Sequence, residues 1–492
     1  MTPREPLVLA VDQGTSATKA LLVDAAGDVV ARGDAALSQS HPGPGLVEQD
    51  VAALLESVRG AVADCMKDHD PAGVAGLALS TQRESAVLWD AAAGRPAAPL
   101  VSWQDRRGTE RMARLGREGA GAEVRRRTGL PLDPMFSALK MAALLDEHDP
   151  DRTRSRTGAL RLGTVDAYLL HALTGSLVTE VGNASRTQLL NLATGDWDDE
   201  LLRLFDVPRA ALGRVVASTG PFGGVRGLAP LRDGTPVLAV LGDSHAALFA
   251  HGGWRPGVVK VTYGSGSSVM TVADSPQPSD QVCSTIAWSS GSPVYAHEAN
   301  IRSTGRTVTW LADLLGTSPG DLLGLAAGAD AGDVTLVPAF GGVGAPWWDA
   351  HAVPVLAGFD LGTGRAQLAC AALESVAHQV ADVLAALPGL HRVVADGGLS
   401  RVDALLQLQA DIAAVDVIRT GHHELSAAGA ARLAGLGLGL WTTDVLERRA
   451  DDAVRTFTPE WDDARRRGAV ARWHRRLAAA RGLGGRDTQE TP

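Results

Sequence analysis

The chain has 492 residues, 45% of them hydrophobic and 21% charged, enough for two to four packed domains. A formal net charge of −10 offers no general positive field and excludes nucleic-acid binding as the main role. Three cysteines far apart in sequence (Cys65, Cys283, Cys370) form neither a disulfide framework nor a metal-ligand spacing. No apolar run approaches membrane-spanning length. No leader signal is visible, since the first apolar run, from Leu7, stops at Asp12. A cytoplasmic protein is therefore expected. Arginine carries nearly all the positive charge, so the four lysines (Lys19, Lys67, Lys140, Lys260) each merit inspection.

Leu7 to Asp24, LVLAVDQGTSATKALLVD, reads as a β-hairpin, two apolar runs around a Gly-Thr-Ser turn. Gly14 permits close backbone approach. Thr15, Ser16 and Thr18 offer hydroxyls beside turn N–H groups, a donor set suited to phosphate. Asp12 beside them suits a hydrated Mg²⁺. Further on, Asp50 is placed to cap a helix over Val51 to Met66. Val74 to Leu79 reads as a buried strand emptying into Ser80-Thr-Gln-Arg-Glu-Ser85, with Ala86 to Trp89 as its return. Leu100 to Ser102 is a short strand delivering Trp103. Helical periodicity covers Ser137–Asp146 and Val165–Leu173. Pro236 to Leu241 is a buried strand ending in Gly242-Asp243-Ser244-His245, followed by a short helix.

The hairpin pattern then recurs. Val258 to Asp274, VVKVTYGSGSSVMTVAD, is again strand, Gly-Ser turn and strand. Two phosphate-type hairpins in the two halves suggest a duplicated fold clamping a nucleotide, the architecture of actin, hexokinase and the heat-shock ATPases. A helix follows through Thr307–Leu314, then a strand at Thr335–Pro338, a glycine-rich loop at Phe340–Asp349 and a long helix over Ala366–Leu387. Val393–Asp396 is a strand running into Gly397-Gly398. The last helix is expected to start at Thr458 with Pro459 in its first turn, and residues 482–492 read as a disordered tail. Competing motifs fail. No Gly-Lys pair exists for a Walker A loop, and Gly316-Thr-Ser318-Pro-Gly320 places a proline where a hydrolase elbow needs an N–H.

Asp243 is the strongest single candidate, either as a catalytic base at the junction of the halves or as a plain helix cap. Gln82-Arg-Glu84-Ser, Trp103-Gln-Asp-Arg-Arg, Gly242-Asp243 and Tyr263-Gly-Ser-Gly266 follow one another on successive strand ends. Asn183-Ala-Ser-Arg-Thr187, Gly344-Ala-Pro-Trp-Trp-Asp349 and Leu373-Glu-Ser375 add to the series. In this order they resemble the FGGY family of carbohydrate kinases over nearly the full chain, with glycerol kinases as the nearest branch.

The resemblance implies an α/β fold of two ribonuclease H-like (actin/hexokinase-type) domains with a cleft between them. Residues 4–250 would hold the acceptor and the first phosphate turn, and 251–481 the nucleotide. It implies ATP and Mg²⁺, Asp12 by the metal, and Thr15, Ser16 and Lys19 on the first phosphate turn. Ser265 and Gly266 would flank the transferring phosphoryl, and Gly305 and Gly398 would approach the nucleotide. Arg83, Glu84, Trp103, Met135, Asp243 and Ser244 would form the acceptor pocket, with Asp243 as base. The implied reaction is phosphorylation of a primary hydroxyl, glycerol first, with a longer polyol or a ketose as the alternative and a non-catalytic or chaperone-like ATPase as the rival class. Small molecules are the expected partners, with no nucleic acid and no membrane; homo-oligomer formation stays open.

Glycerol kinases carry Tyr, Gln and Phe where this chain has Met135, Ser244 and Ser268, which makes the expected pocket roomier and more polar. Thr309 and Val402 replace amide side chains on the nucleotide side, and Lys19 replaces an arginine, keeping charge without the bidentate fork.

Overall fold

The computed structural model describes residues 5–484 apart from 277, 388, 422–423 and 451–452. Both hairpins form. In the first half, β1 (Leu7–Gln13) pairs antiparallel with β2 (Ala17–Val23), and β2 with β3 (Val29–Ala36). On the other side of β1, β4 (Val74–Thr81) runs parallel to it and β5 (Val237–Gly242) parallel to β4. The sheet order is therefore β5-β4-β1-β2-β3.

The second half repeats this plan. β6 (Val258–Tyr263) and β7 (Ser267–Ala273) form the hairpin, β8 (Pro293–Ile301) adds antiparallel to β7, and β9 (Arg392–Asp396) and β10 (Asp416–Thr420) add parallel on the other side of β6. Its core order, β8-β7-β6-β9-β10, is the same as in the first half, with Cys283–Ser289 and Ala453–Phe457 as extra edge strands. The mixed α/β, two-domain expectation holds.

Helix α1 (Val51–Met66) starts where the Asp50 carboxylate accepts from the Ala52 and Ala53 N–H groups, and it lays its Leu54, Val58 and Val62 face on the first sheet. α2 (Ser137–His148) packs on a satellite core with Leu139, Met141 and Leu145. α3 (Asp243–Ala250) follows β5 directly; α4 (Gly305–Leu314) follows β8. α5 (Arg365–Ala385) has the length and apolarity of a membrane span, but most of it is buried against the second sheet through Leu373, Val376 and Val380, as a core helix should be. α6 (Leu425–Gly437), from the second half, packs on β1, β4 and β5 of the first sheet and crosses α3. At that crossing a side chain on Gly429 would run into the Ala246 carbonyl, so the two backbones touch.

Four expectations change. Val87–Asp90 does not return along β4; it pairs with Leu160–Gly163. The cause is Glu84, whose left-handed backbone (φ +62) swings the chain off the sheet. Thr18 is no phosphate ligand, being buried with its hydroxyl 2.7 Å from that of Ser57 on α1. The last helix, α7 (Asp463–Gly484), begins beyond Thr458-Pro459. The Asp411 carboxylate holds the Glu460 and Trp461 N–H groups in a turn, and Asp462 caps the helix by accepting from the Arg465 N–H. Residues 482–484 belong to α7, and the rest of the expected tail lies outside the described residues.

Candidate active site

Three neighbouring strand ends build the first wall. Asp12 on β1 lies opposite Ser80 on β4, and Ser80 opposite Leu241 on β5, so Asp12 and Asp243 project from the same edge of the sheet with one strand between them. The Ser80 hydroxyl donates to Asp12 at 2.8 Å. Burial, then the nearby Asp243 charge, push the Asp12 carboxyl up to about 7. Lys19 lies directly across the hairpin from Asp12 and is exposed.

Asp243 is the first residue of α3; Gly242 holds the cap position, so the plain-cap reading does not apply. One Asp243 oxygen accepts from the Ser244 N–H at 2.6 Å and from Arg83 Nε at 3.1 Å. Its second oxygen has no hydrogen-bond partner among the described residues, and the side chain is 37% exposed.

Arg83 and Glu84 are no loose surface pair. Arg83 reaches across to the second half, where its Nη1 and Nη2 each donate to Glu298 on β8 at 2.8 Å. Glu84 accepts from Arg186 Nε at 2.6 Å, and Arg186 Nη1 lies 3.2 Å from the Glu298 oxygen that also accepts from Arg83 Nη1. A continuous chain of alternating charge, Asp243–Arg83–Glu298–Arg186–Glu84, thus ties Asp243 to Glu84. Glu298 and Arg186 are fully buried. Burial pushes the Glu298 carboxyl up, but Arg186 and Arg83 outweigh it and hold the group far below the ordinary carboxylate range. His245, also buried, is kept neutral by desolvation and then by Arg83, whose Nη1 lies 3.3 Å from its Nε2. With its fork committed to Glu298, Arg83 acts on Asp243 more than as a free donor.

A second network joins the first hairpin turn to Gln82 and Trp103. Gln82 donates to Gln13 (3.2 Å) and Gln49 (3.0 Å), and Gln49 donates to the Thr15 carbonyl at 2.8 Å. The half-buried Trp103 donates its indole N–H to the Thr15 hydroxyl at 3.1 Å, and Ser85 accepts from its backbone N–H. Gln13, Gln49, Arg186 and Glu298 were not singled out from sequence. Their partners lie too far along the chain for spacing to reveal them.

Met135 heads α2 from a loop clamped by Lys140, whose buried ammonium donates to the carbonyls of Pro134, Met135 and Phe136 at 2.9, 2.5 and 3.0 Å. The scarcity of lysine was a usable signal here: Lys140 and Lys260 are buried, and Lys19 and Lys67 exposed.

Around the second hairpin turn, the Ser265 carbonyl accepts from the Thr304 and Arg306 N–H groups, and the Gly305 N–H donates to Gly264 at 3.0 Å. A Cβ on Gly305 would come within 2.6 Å of the Gly264 carbonyl, and one on Gly266 within 2.5 Å of the Ile301 carbonyl. Gly305→Ala should therefore displace the turn; with the nucleotide role that the family resemblance implies for Gly305, the Michaelis constant for ATP should rise about tenfold, a change of roughly 1.4 kcal/mol, with that for the acceptor little altered, as steady-state kinetics in both substrates would check. Gly397, with φ +88, packs on the Tyr263 backbone, whereas Gly398 faces open space, as a ligand-approaching glycine would. Thr309 is exposed and its hydroxyl donates to the Gly305 carbonyl of its own helix.

The N-terminal domain of the FGGY family of carbohydrate kinases matches residues 7–250 and its C-terminal domain residues 259–438. The chain belongs to the FGGY family of carbohydrate kinases. It is 41% identical over 451 residues to an apulose kinase of Pectobacterium atrosepticum, covering 89% of this chain and 90% of that one. It is equally 41% identical over 496 residues to a glycerol kinase of Aromatoleum aromaticum, covering 96% and 99%. In structure this FGGY kinase superposes on Plasmodium falciparum glycerol kinase with ADP at a TM-score of 0.91 and 24% identity, covering 97% and 98%, which is a likeness of fold.

Proposed function

We propose that the chain transfers the γ-phosphoryl group of ATP to a primary hydroxyl of a small polyol or sugar. The observation that carries this reading is Asp243, with one oxygen oriented by Arg83 and the Ser244 N–H and the other open. As the acceptor oxygen attacks the γ-phosphorus in line, Asp243 takes its proton; the bond to the β,γ-bridging oxygen breaks and ADP leaves. Turn N–H groups of both hairpins and Lys19 meet the charge on the transferring group, and such catalysis is mainly positioning and electrostatics. Glu84, Trp103, Met135 and Ser244 enclose the acceptor, while Ser265, Gly266, Gly305 and Gly398 receive the nucleotide.

Mg²⁺ would supply further charge neutralisation beside the phosphates. Asp12 fits it: a carboxyl pushed up to about 7 by burial and a second carboxylate is a place where a cation is favoured. No group of three or more His, Cys, Asp or Glu stands together among the described residues. Water and phosphate oxygens would therefore complete the shell, as Mg²⁺ prefers. We place the reaction in the cytoplasm, where ATP is abundant and the three buried, unpaired cysteines stay reduced.

Glycerol and apulose, named for two relatives of equal identity, bracket the acceptor class. ADP release measured with ATP and a panel of C3 to C6 polyols and ketoses tests the reading. It should be slow without acceptor and rise strongly with at least one of them. Release that ignores every acceptor would leave an acceptor-independent ATPase.

A further inference from the structure

The second wall of the crevice carries a buried hydroxyl without a partner among the described residues and an amide with only a weak one. Ser268 on β7 lies directly opposite Asn300 on β8, and Met270 opposite Glu298. Paired residues, and residues two apart on one strand, share a face of the sheet. Ser268, Asn300 and Glu298 therefore point the same way, and Glu298 fixes that direction because it is bonded to Arg83, the partner of Asp243. Asn300 lies one pleat, roughly 7 Å, along from Glu298 towards Met135: its amide nitrogen makes a long contact, 4.0 Å, with the Met135 sulfur. A thioether is a weak acceptor. The Ser268 hydroxyl is buried and has no hydrogen-bond partner among the described residues.

A polar group buried without a partner is costly, and a ligand that completes its hydrogen bonds recovers the cost. A site built to bond a substrate hydroxyl also rejects analogues that lack it. A three-carbon triol that places one hydroxyl on Asp243 and the others near Glu84 and Trp103 has none left for this wall.

Resting on the kinase reading above, we propose that Ser268 and Asn300 bind hydroxyls of the acceptor remote from the one phosphorylated, so that the preferred acceptor is a polyhydroxylated chain or ketose of four or five carbons. Met135, whose unbranched side chain packs beside Leu130 and Phe136 and can re-seat, would fit along that longer chain where a rigid aromatic wall would stop it.

The test measures kcat/KM for glycerol, erythritol, xylitol, ribulose and xylulose in the parent protein and in Asn300→Ala, Asn300→Ser and Ser268→Ala. In the parent, the best four- or five-carbon acceptor should exceed glycerol by at least about tenfold. In Asn300→Ala and Ser268→Ala the ratio of that acceptor to glycerol should fall by about ten- to a hundredfold, with Asn300→Ser losing less of it. Each variant's ATP-induced rise in Tm shows that it is folded. Glycerol preferred by the parent, or a ratio that survives all three substitutions, would overturn the inference and leave the kinase reading standing. ADP release that responds to no acceptor in the parent would overturn both.

Discussion

Asp243→Asn should lower acceptor-dependent ADP release by roughly 10²- to 10⁴-fold, the usual contribution of a positioned base, while ATP still binds. The amide keeps the size and the contact with the Ser244 N–H but cannot take a proton. Its oxygen can still accept from Arg83, which remains anchored on Glu298, so the crevice should keep its shape. The expected signature is therefore a fall in kcat with only modest change in either Michaelis constant. Single-turnover kinetics with the best acceptor, alongside ATP titration, separates chemistry from binding. Near-normal turnover would remove the assigned base.

Glu298→Gln carries the second large effect, on stability. Glu298 is the only acid placed between Arg83 and Arg186 in the alternating chain, and all three are buried or nearly so. Removing the shared charge leaves two buried guanidinium groups with one carboxylate each, Asp243 and Glu84, and an under-compensated buried network of this kind costs about 3–5 kcal/mol. Denaturant unfolding should show it as a lower midpoint, and kcat should fall as well because Arg83 loses the anchor from which it orients Asp243. The pH dependence has a definite sign. The folded carboxyl is held below its unfolded value, which is near 4.3. Its contribution is complete above that value and drains away as the pH falls towards the lower folded one. The glutamine variant should thus lose most stability near neutrality and least in acid. A variant within about 1 kcal/mol of the parent, against that expectation, would reduce the network to an incidental one.

What could be read from residues alone was local. Both hairpins follow from apolar runs broken by Gly-Ser turns, and α1 starts at Asp50 because a carboxylate there meets two free N–H groups. Asp12, Arg83, Glu84 and Asp243 were legible as polar residues at the ends of buried strands. What stayed hidden was set by tertiary contact. Glu298 meets Arg83 across 215 residues, and on an alternating strand nothing marks it as different from any other acid. The amide ladder of Gln13, Gln82 and Gln49 is likewise invisible until three strands meet. The start of α7 was misplaced because Thr458-Pro459 satisfies the rules for a helix start, whereas Asp411, from another helix, claims the N–H groups that follow.

The contact of α3 with α6 at Gly429 bears on how such a molecule moves. With main chain pressed against main chain, sliding of either rod along the other would meet steric resistance there, which favours rotation about the touching point. Because α3 also begins with Asp243 and is capped by His251, which bonds Asp396 at 2.8 Å beside the paired glycines, one stiff lever resting on that fulcrum would swing Asp243 and Gly397-Gly398 together.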